Sequence, residues 1–156
     1  MGPLSNFKQL EVIEKNIKLT IEQGGKIKCG GKRHSFSNEG YYFPATIIEC
    51  DNHNLPAAEN ELFGPVLSVI PFETEEEAIS IANDTNYGLA NYIQSQDNEK
   101  VRRVARRLRS GMVDVNGVGL AVDAPFGGFK HSGIGREAGQ EGIHEFLEVK
   151  SVGGWN

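Results

Sequence analysis

Glu61 and Phe63 stand in the run Asn60-Glu61-Leu62-Phe63-Gly64-Pro65-Val66, a carboxylate and an aromatic ring two positions apart. An ionised carboxylate offers two acceptor oxygens, enough for one side chain to hold a vicinal diol. Spacing alone supports a plainer reading, in which Glu61 caps a turn and Phe63 packs in the core. The two cysteines lie in unpromising settings, Cys29 between Lys28 and Gly30 and Cys50 between Glu49 and Asp51. A reactive thiolate wants an electropositive, donor-rich pocket, so both read as small structural residues. His34, His53, His131 and His144 show no metal-ligand spacing with cysteines or carboxylates, so no metal site is expected. Glu39, Glu49, Glu59 and Glu61 form no pair that argues for glycosidase-type chemistry. The stretch Gly133-Ile134-Gly135-Arg136-Glu137-Ala138-Gly139 is a poor dinucleotide loop, because it follows Lys130-His131-Ser132 rather than a strand and opens no long helix.

The elements that must position these groups read as alternating helices and strands. Ser5 can cap a helix whose apolar residues Phe7, Leu10, Ile13, Ile17 and Ile21 recur at helical spacing and which ends at Gly24-Gly25. Lys26–Cys29 is a short strand stopped by Gly30-Gly31, and Tyr41–Cys50 reads extended, with Pro44 keeping its start at an edge. An irregular stretch covers Asp51 to Pro65, and Val66–Ile70 carries the pattern of a buried strand. Thr74-Glu75-Glu76-Glu77 is a capping box opening a helix through Ala78, Ile79, Ile81 and Ala82. Leu89–Gln94 reads as a strand, Asp97 caps the next helix, and Gly111–Val115 is a further strand. Within that helix Val101, Val104, Ala105 and Leu108 form an apolar stripe, which leaves Arg102, Arg103, Arg106, Arg107 and Arg109 as a solvated face rather than a nucleic-acid site. A glycine-rich loop spans Asn116 to Gly139, a short helix lies near Gln140–Phe146, and Glu148–Val152 is a last strand. The fold class is therefore α/β, a partial, open and mostly parallel sheet with flanking helices. Open sheet edges are an association hazard, so either a second copy or further polypeptide should cover them.

Composition narrows the function classes. A net charge of −5 gives no basic excess for nucleic acid or anionic membrane. The apolar run Val66–Phe72 is far too short to span a bilayer, and Met1-Gly2-Pro3-Leu4 shows neither a signal peptide nor a myristoylation context. Two cysteines make no disulfide framework, so a reduced, cytoplasmic setting is expected. Nine of the 19 glycines fall between Gly111 and Lys150 without a fixed period, which suggests an ordered loop with special backbone angles rather than a linker.

Four motifs, in order, resemble those of the aldehyde dehydrogenase superfamily. They are Asn60–Val66, matching E-[IL]-F-G-P-V; Asn86-Tyr87-Gly88-Leu89-Ala90; Gly111-Met112-Val113-Asp114-Val115-Asn116; and Pro125-Phe126-Gly127-Gly128-Phe129-Lys130-His131-Ser132-Gly133-Ile134-Gly135-Arg136-Glu137. Met1–Gly31 is similar to the family's helix-and-strand segment beyond its catalytic cysteine, so the resemblance covers essentially the whole chain. It implies oxidation of a small-molecule aldehyde to a carboxylic acid with NAD or NADP, through a cysteine thiohemiacetal. It also implies that Glu61 holds the nicotinamide ribose hydroxyls and that Phe63 packs beside the nicotinamide ring, the cofactor-binding pair expected here. Residues 1–147 would form the C-terminal portion of the catalytic domain. Residues 148–156 would carry an oligomerisation strand and the C-terminus of a homo-oligomer. The segment from Gly117 to Ala124 would help shape the substrate entrance.

The family's nucleophile lies in a G-Q-x-C context and its general base in an E-[LT]-G-G context, and neither occurs in these residues. A Rossmann fingerprint is missing as well. The expectation is a part of an enzyme with no catalytic residue of its own, inactive alone. The competing expectation is a natural truncated paralogue acting as a non-enzymatic interaction subunit.

Overall fold

A computed structural model describes residues 1–33 and 40–154, so His34 and Glu39, weighed above, lie outside the described residues. The chain divides into two compact units, Met1–Glu73 and Thr74–Asn156.

Unit 1 opens with α1 (Phe7–Glu22), followed by β1 (Lys26–Cys29), β2 (Thr46–Glu49), α2 (Pro56–Glu59) and β3 (Val66–Val69). The helix starts as expected, but its cap is Asn6, whose side chain accepts from the Gln9 amide at 2.9 Å, and not Ser5. Ser and Asn are both good caps, so adjacent candidates are separable only by backbone geometry. The apolar stripe is narrower than expected. Leu10, Ile13, Ile17 and Thr20 are buried, whereas Phe7 and Ile21 lie at its margins and are exposed.

The three strands form one sheet in the order β1-β2-β3. β1 runs antiparallel to β2, with Ile27 opposite Ile48 and a shift in register before Cys29. β2 and β3 are parallel, Thr46 facing Val66 and Ile48 facing Ser68. The crossover between them contains α2, so the stretch expected to be irregular holds one helical turn, begun by Pro56 at a position where its missing N–H costs nothing. Leu10, Ile13, Ile17, Phe43, Ile48, Cys50, Leu55, Ala57 and Leu62 make the core of this unit. β3 is less buried than its composition suggests. Side chains alternate across a strand, so Val66 and Ile70 pack on the core while Leu67 and Val69 point away from it and are exposed.

Unit 2 contains α3 (Glu75–Asn83), β4 (Ala90–Ile93), α4 (Asn98–Ala105), β5 (Met112–Val115) and a short α5 (Gly139–His144). Thr74 caps α3, accepting from the Glu77 amide at 3.2 Å. Asp97 caps α4, its Oδ1 accepting from the Glu99 and Lys100 amides at 3.0 Å each. β4 and β5 pair in parallel, Ala90 beside Met112 through Ile93 beside Val115, joined by α4 as the βαβ pattern requires. The parallel pairing is thus spread over two small sheets.

The expected strand Glu148–Val152 is not formed, and these residues have no regular secondary structure. A strand is defined by its ladder, and a segment without a partner in the same chain has nothing to hold it extended. No helix among the described residues is long and apolar enough to cross a membrane.

Candidate functional site

The run from Asn60 to Pro65 links the single turn of α2 to β3. Asn60 ends α2 in an extended conformation, its N–H donating to the Pro56 carbonyl. Leu62, only 7% exposed, is the core residue of the run, while Glu61 and Phe63 on either side of it are exposed. Phe63 is 73% exposed and has a φ of +47°, in the left-handed region that bulky residues rarely occupy. Strain of this kind costs on the order of 1–3 kcal/mol and persists only where the surroundings over-determine it. The expectation that Phe63 is core packing, read from spacing alone, is overturned, since Leu62 takes that role. Nor does Glu61 cap a turn, because its carboxylate makes no hydrogen bond or ion pair with another described residue. The run thus presents an uncommitted carboxylate and a large aromatic ring to solvent, on a backbone fixed by the buried residue between them. Such a pair can accept hydrogen bonds from a diol and cover an apolar ring face.

The backbone of the run is held from two sides. The Pro65 carbonyl accepts from the Thr46 amide at 2.8 Å, tying it to β2. Asn60 Nδ2 donates to Asn16 Oδ1 at 3.1 Å and Gln9 Nε2 donates to the Leu62 carbonyl, tying it to α1, and just before the run the Ala57 amide of α2 donates to Thr20 Oγ1 at 2.8 Å. These α1 contacts have no counterpart in the sequence reading. Their signal is the polar series Gln9, Asn16 and Thr20, which lies beside the apolar stripe.

The two cysteines lie in different surroundings. Cys50 is fully buried, and burial pushes its thiol above the ordinary range; Asp51 adds to this, and a hydrogen bond with Ser68 works against it. Cys29 is exposed, with Sγ 3.7 Å from the Ala45 carbonyl. Among the described residues no three of His, Cys, Asp and Glu gather into a group that could hold a metal.

In unit 2 the glycine-rich segment is an ordered loop. Phe126 and Glu137 exchange two backbone hydrogen bonds of 2.7 Å that close it. Inside it Arg136 Nη1 donates to the Gly128 and Gly135 carbonyls at 2.8 Å each, and its guanidinium sits 5.3 Å from the centre of the Phe129 ring. Lys130 Nζ donates to the carbonyls of Asn83 at 2.7 Å and Thr85 at 2.8 Å. Gly133 follows the helical turn Lys130–Ser132 rather than a strand, and α5 is only six residues long, so this is no dinucleotide loop.

The arginines of α4 and of the turn that follows it are more committed than a freely solvated face. Arg103 grips Glu75 in a bidentate pair of 2.7 and 2.8 Å, and Arg107 makes a second such pair with Glu76. Hydrogen bonding by these guanidinium groups, more than charge alone, holds both carboxyls below the usual range, and the Lys100 and Glu99 amides do the same for Asp97. A carboxyl whose pKa is lowered by folding contributes stability above its unfolded value, and that contribution disappears as pH falls through the folded value. Unit 2 is therefore expected to weaken as pH drops below the ordinary carboxylate range. Urea midpoints at neutral pH and at about pH 3 should converge in the Glu75→Gln, Glu76→Gln variant relative to the parent. An unchanged pH dependence would remove these pairs from the account.

The family model described as the aldehyde dehydrogenase family matches residues 1–152. A 3-succinoylsemialdehyde-pyridine dehydrogenase of a Pseudomonas species is 44% identical over 99% of this chain. The crystal structure of the aldehyde dehydrogenase of Bartonella henselae has a TM-score of 0.91 at 44% identity, over 99% of this chain and 33% of that one. The Mycobacterium tuberculosis aldehyde dehydrogenase, solved in complex with NAD+, has a TM-score of 0.90 at 38% identity, over 100% and 33%. The chain spans about a third, 33%, of the length of the curated relatives it matches. With four motifs in order, the loop geometry they occupy and a family match over nearly its full length, the chain belongs to the aldehyde dehydrogenase family.

Proposed function

We propose that this chain is one part of an NAD(P)-dependent aldehyde dehydrogenase that oxidises an aldehyde to a carboxylic acid, and that Glu61 and Phe63 are its contribution to the nicotinamide end of the cofactor site. The observation supporting this is the display of both side chains around buried Leu62, with Phe63 at a φ of +47° and the Glu61 carboxylate uncommitted among the described residues. The residues present fit the group. A free carboxylate matches a ribose diol, and an exposed aromatic ring matches the flat apolar face of a nicotinamide. The chemistry that a bound nicotinamide would supply is that of a hydride acceptor. Glu61 accepts hydrogen bonds from the two ribose hydroxyls and so fixes the orientation of the attached ring. Phe63 packs beside that ring and keeps water from one side of it.

Nucleophile and general base are assigned to polypeptide outside these residues, because neither family context for them occurs here and both cysteines are poorly placed. The chain alone is then inactive. Residues 148–156 are assigned to an oligomerisation strand that forms only on a partner ladder, within a cytoplasmic homo-oligomer.

Purified chain mixed with an aldehyde and NAD+ or NADP+ is expected to give no reduced nicotinamide by absorbance. Adding the complementary segment that carries the G-Q-x-C and E-[LT]-G-G contexts is expected to restore turnover. Turnover by the chain alone would overturn the assignment of nucleophile and base.

A further inference from the structure

We propose that α1 sets the conformation of the Glu61–Phe63 loop through a polar ladder on one of its faces, with Gln9 and Asn16 as positioning residues for hydride transfer. This rests on the reading of Glu61 as the ribose ligand.

The ladder is visible in the order of its contacts. Thr20, Asn16, Ile13 and Gln9 succeed one another at helical spacing, so they lie along one face of α1. The chain from Ala57 to Gly64 runs past them in the opposite direction. Ala57 N–H donates to Thr20 Oγ1 at 2.8 Å, Asn60 Nδ2 donates to Asn16 Oδ1 at 3.1 Å, and the Leu62 carbonyl accepts from Gln9 Nε2. Gly64 then passes so close to Ile13 that a Cβ added to it would meet Ile13 Cδ1 at 2.2 Å. The Thr20 hydroxyl is itself fixed, donating to the Asn16 carbonyl at 2.8 Å, and the residue is fully buried.

Two of these anchors bracket Glu61, one at the residue before it and one at the carbonyl of the residue after it. Neither touches the carboxylate. The effect is on the backbone that aims it, and on the left-handed turn at Phe63, a conformation that needs its neighbours to hold it. Half-buried Gln9 is the stronger anchor, because losing its amide leaves a part-buried carbonyl without that donor. Misplacement by about 1 Å at a positioning contact can cost on the order of 10²-fold in rate, so a partial loosening should be felt chiefly in the chemical step.

The test uses the complete enzyme that contains these residues, with Gln9→Leu, Gln9→Lys, Asn16→Ala, Glu61→Gln and the double variant Gln9→Leu, Glu61→Gln. Single-turnover reduction of the nicotinamide is measured on folded protein, alongside the KM for the cofactor. Gln9→Leu is expected to slow hydride transfer by about tenfold with less than about threefold change in KM, and Asn16→Ala by less. Gln9→Lys keeps a donor for the Leu62 carbonyl and should recover most of the rate. In the Glu61→Gln background the Gln9→Leu change should add little, because the group it aims is already altered. Equal rates for Gln9→Leu and parent, or full additivity with Glu61→Gln, would overturn the positioning role while leaving the ribose assignment intact. Glu61→Gln with an unaltered rate would instead overturn the ribose assignment on which the role rests.

Discussion

Glu61→Gln in the complete enzyme is expected to slow hydride transfer by about 10²-fold while raising the KM for the cofactor by no more than a few fold. The substitution keeps the shape of the side chain and removes its charge. A carboxylate can accept from both hydroxyls of a diol, whereas an amide presents one acceptor and one donor and can satisfy only half of that pattern. In the proposed site the ribose would still be held by its other contacts, so affinity should be largely kept. What is lost is the fixed rotation of the ring relative to the substrate carbon, and orientation enters the rate of the chemical step rather than the binding constant. Surrounding structure should be unaffected, since no described residue depends on this carboxylate for a hydrogen bond or an ion pair. The opposite pattern, a large rise in KM with turnover at saturation unchanged, would mean that Glu61 binds without orienting.

The second large effect is on stability. Gly111→Ala is expected to destabilise unit 2 by about 3 kcal/mol or more, a drop in apparent Tm of on the order of 10 °C. Gly111 leads into β5, with its N–H on the Gly88 carbonyl at 3.0 Å. An added Cβ would lie 1.8 Å from the Gly127 carbonyl oxygen and 2.7 Å from its carbon. Both atoms are backbone, and Gly127 belongs to the loop closed by Phe126 and Glu137, so neither side can give way without reopening the loop. Gly119→Ala serves as the control, because nothing lies within 4 Å of the added carbon there. Thermal melts of the two variants should differ widely; equal melts would mean that the β5 entrance and the loop are not packed as described.

The contrast between these positions shows what can be read from sequence. The starts of α3 and α4 were legible because caps act within one turn. Thr74 and Asp97 bond amides two or three residues away, and such local contacts leave a direct imprint on residue order. The β4-α4-β5 unit was legible for a related reason, since a parallel pair needs a crossover and the period of the apolar residues changes at each boundary. Non-local pairing left less trace. The antiparallel pairing of β1 with β2 and the absence of a strand at Glu148–Val152 depend on which segments find partners, and four or five residues of β-compatible composition do not encode that.

The candidate site divides in the same way. The motif resemblance singles out Glu61 and Phe63 as candidates, whereas spacing alone favours a cap and a core residue, because an isolated Glu or Phe has no local signature of use. Burial then reversed the roles within the triplet, with Leu62 inside and its neighbours outside. Gln9 and Asn16 leave no trace in residue order for a different physical reason. A helix reading assigns polar residues to water, and only the approach of a distant segment turns two of them into anchors. Likewise residue order alone leaves Arg103 of α4 and Arg107 of the turn after it on a solvated face, whereas Glu75 and Glu76 from the start of α3 reach both.

The most direct test of the cofactor assignment is a crystal structure of the complete enzyme with NAD+ or NADP+ bound. Both Glu61 carboxylate oxygens should lie within ordinary hydrogen-bond distance, about 2.5–3.0 Å, of the two nicotinamide-ribose hydroxyls, with the Phe63 ring beside the nicotinamide. A well-ordered nicotinamide ribose held by other residues, with Glu61 still facing solvent, would contradict the account.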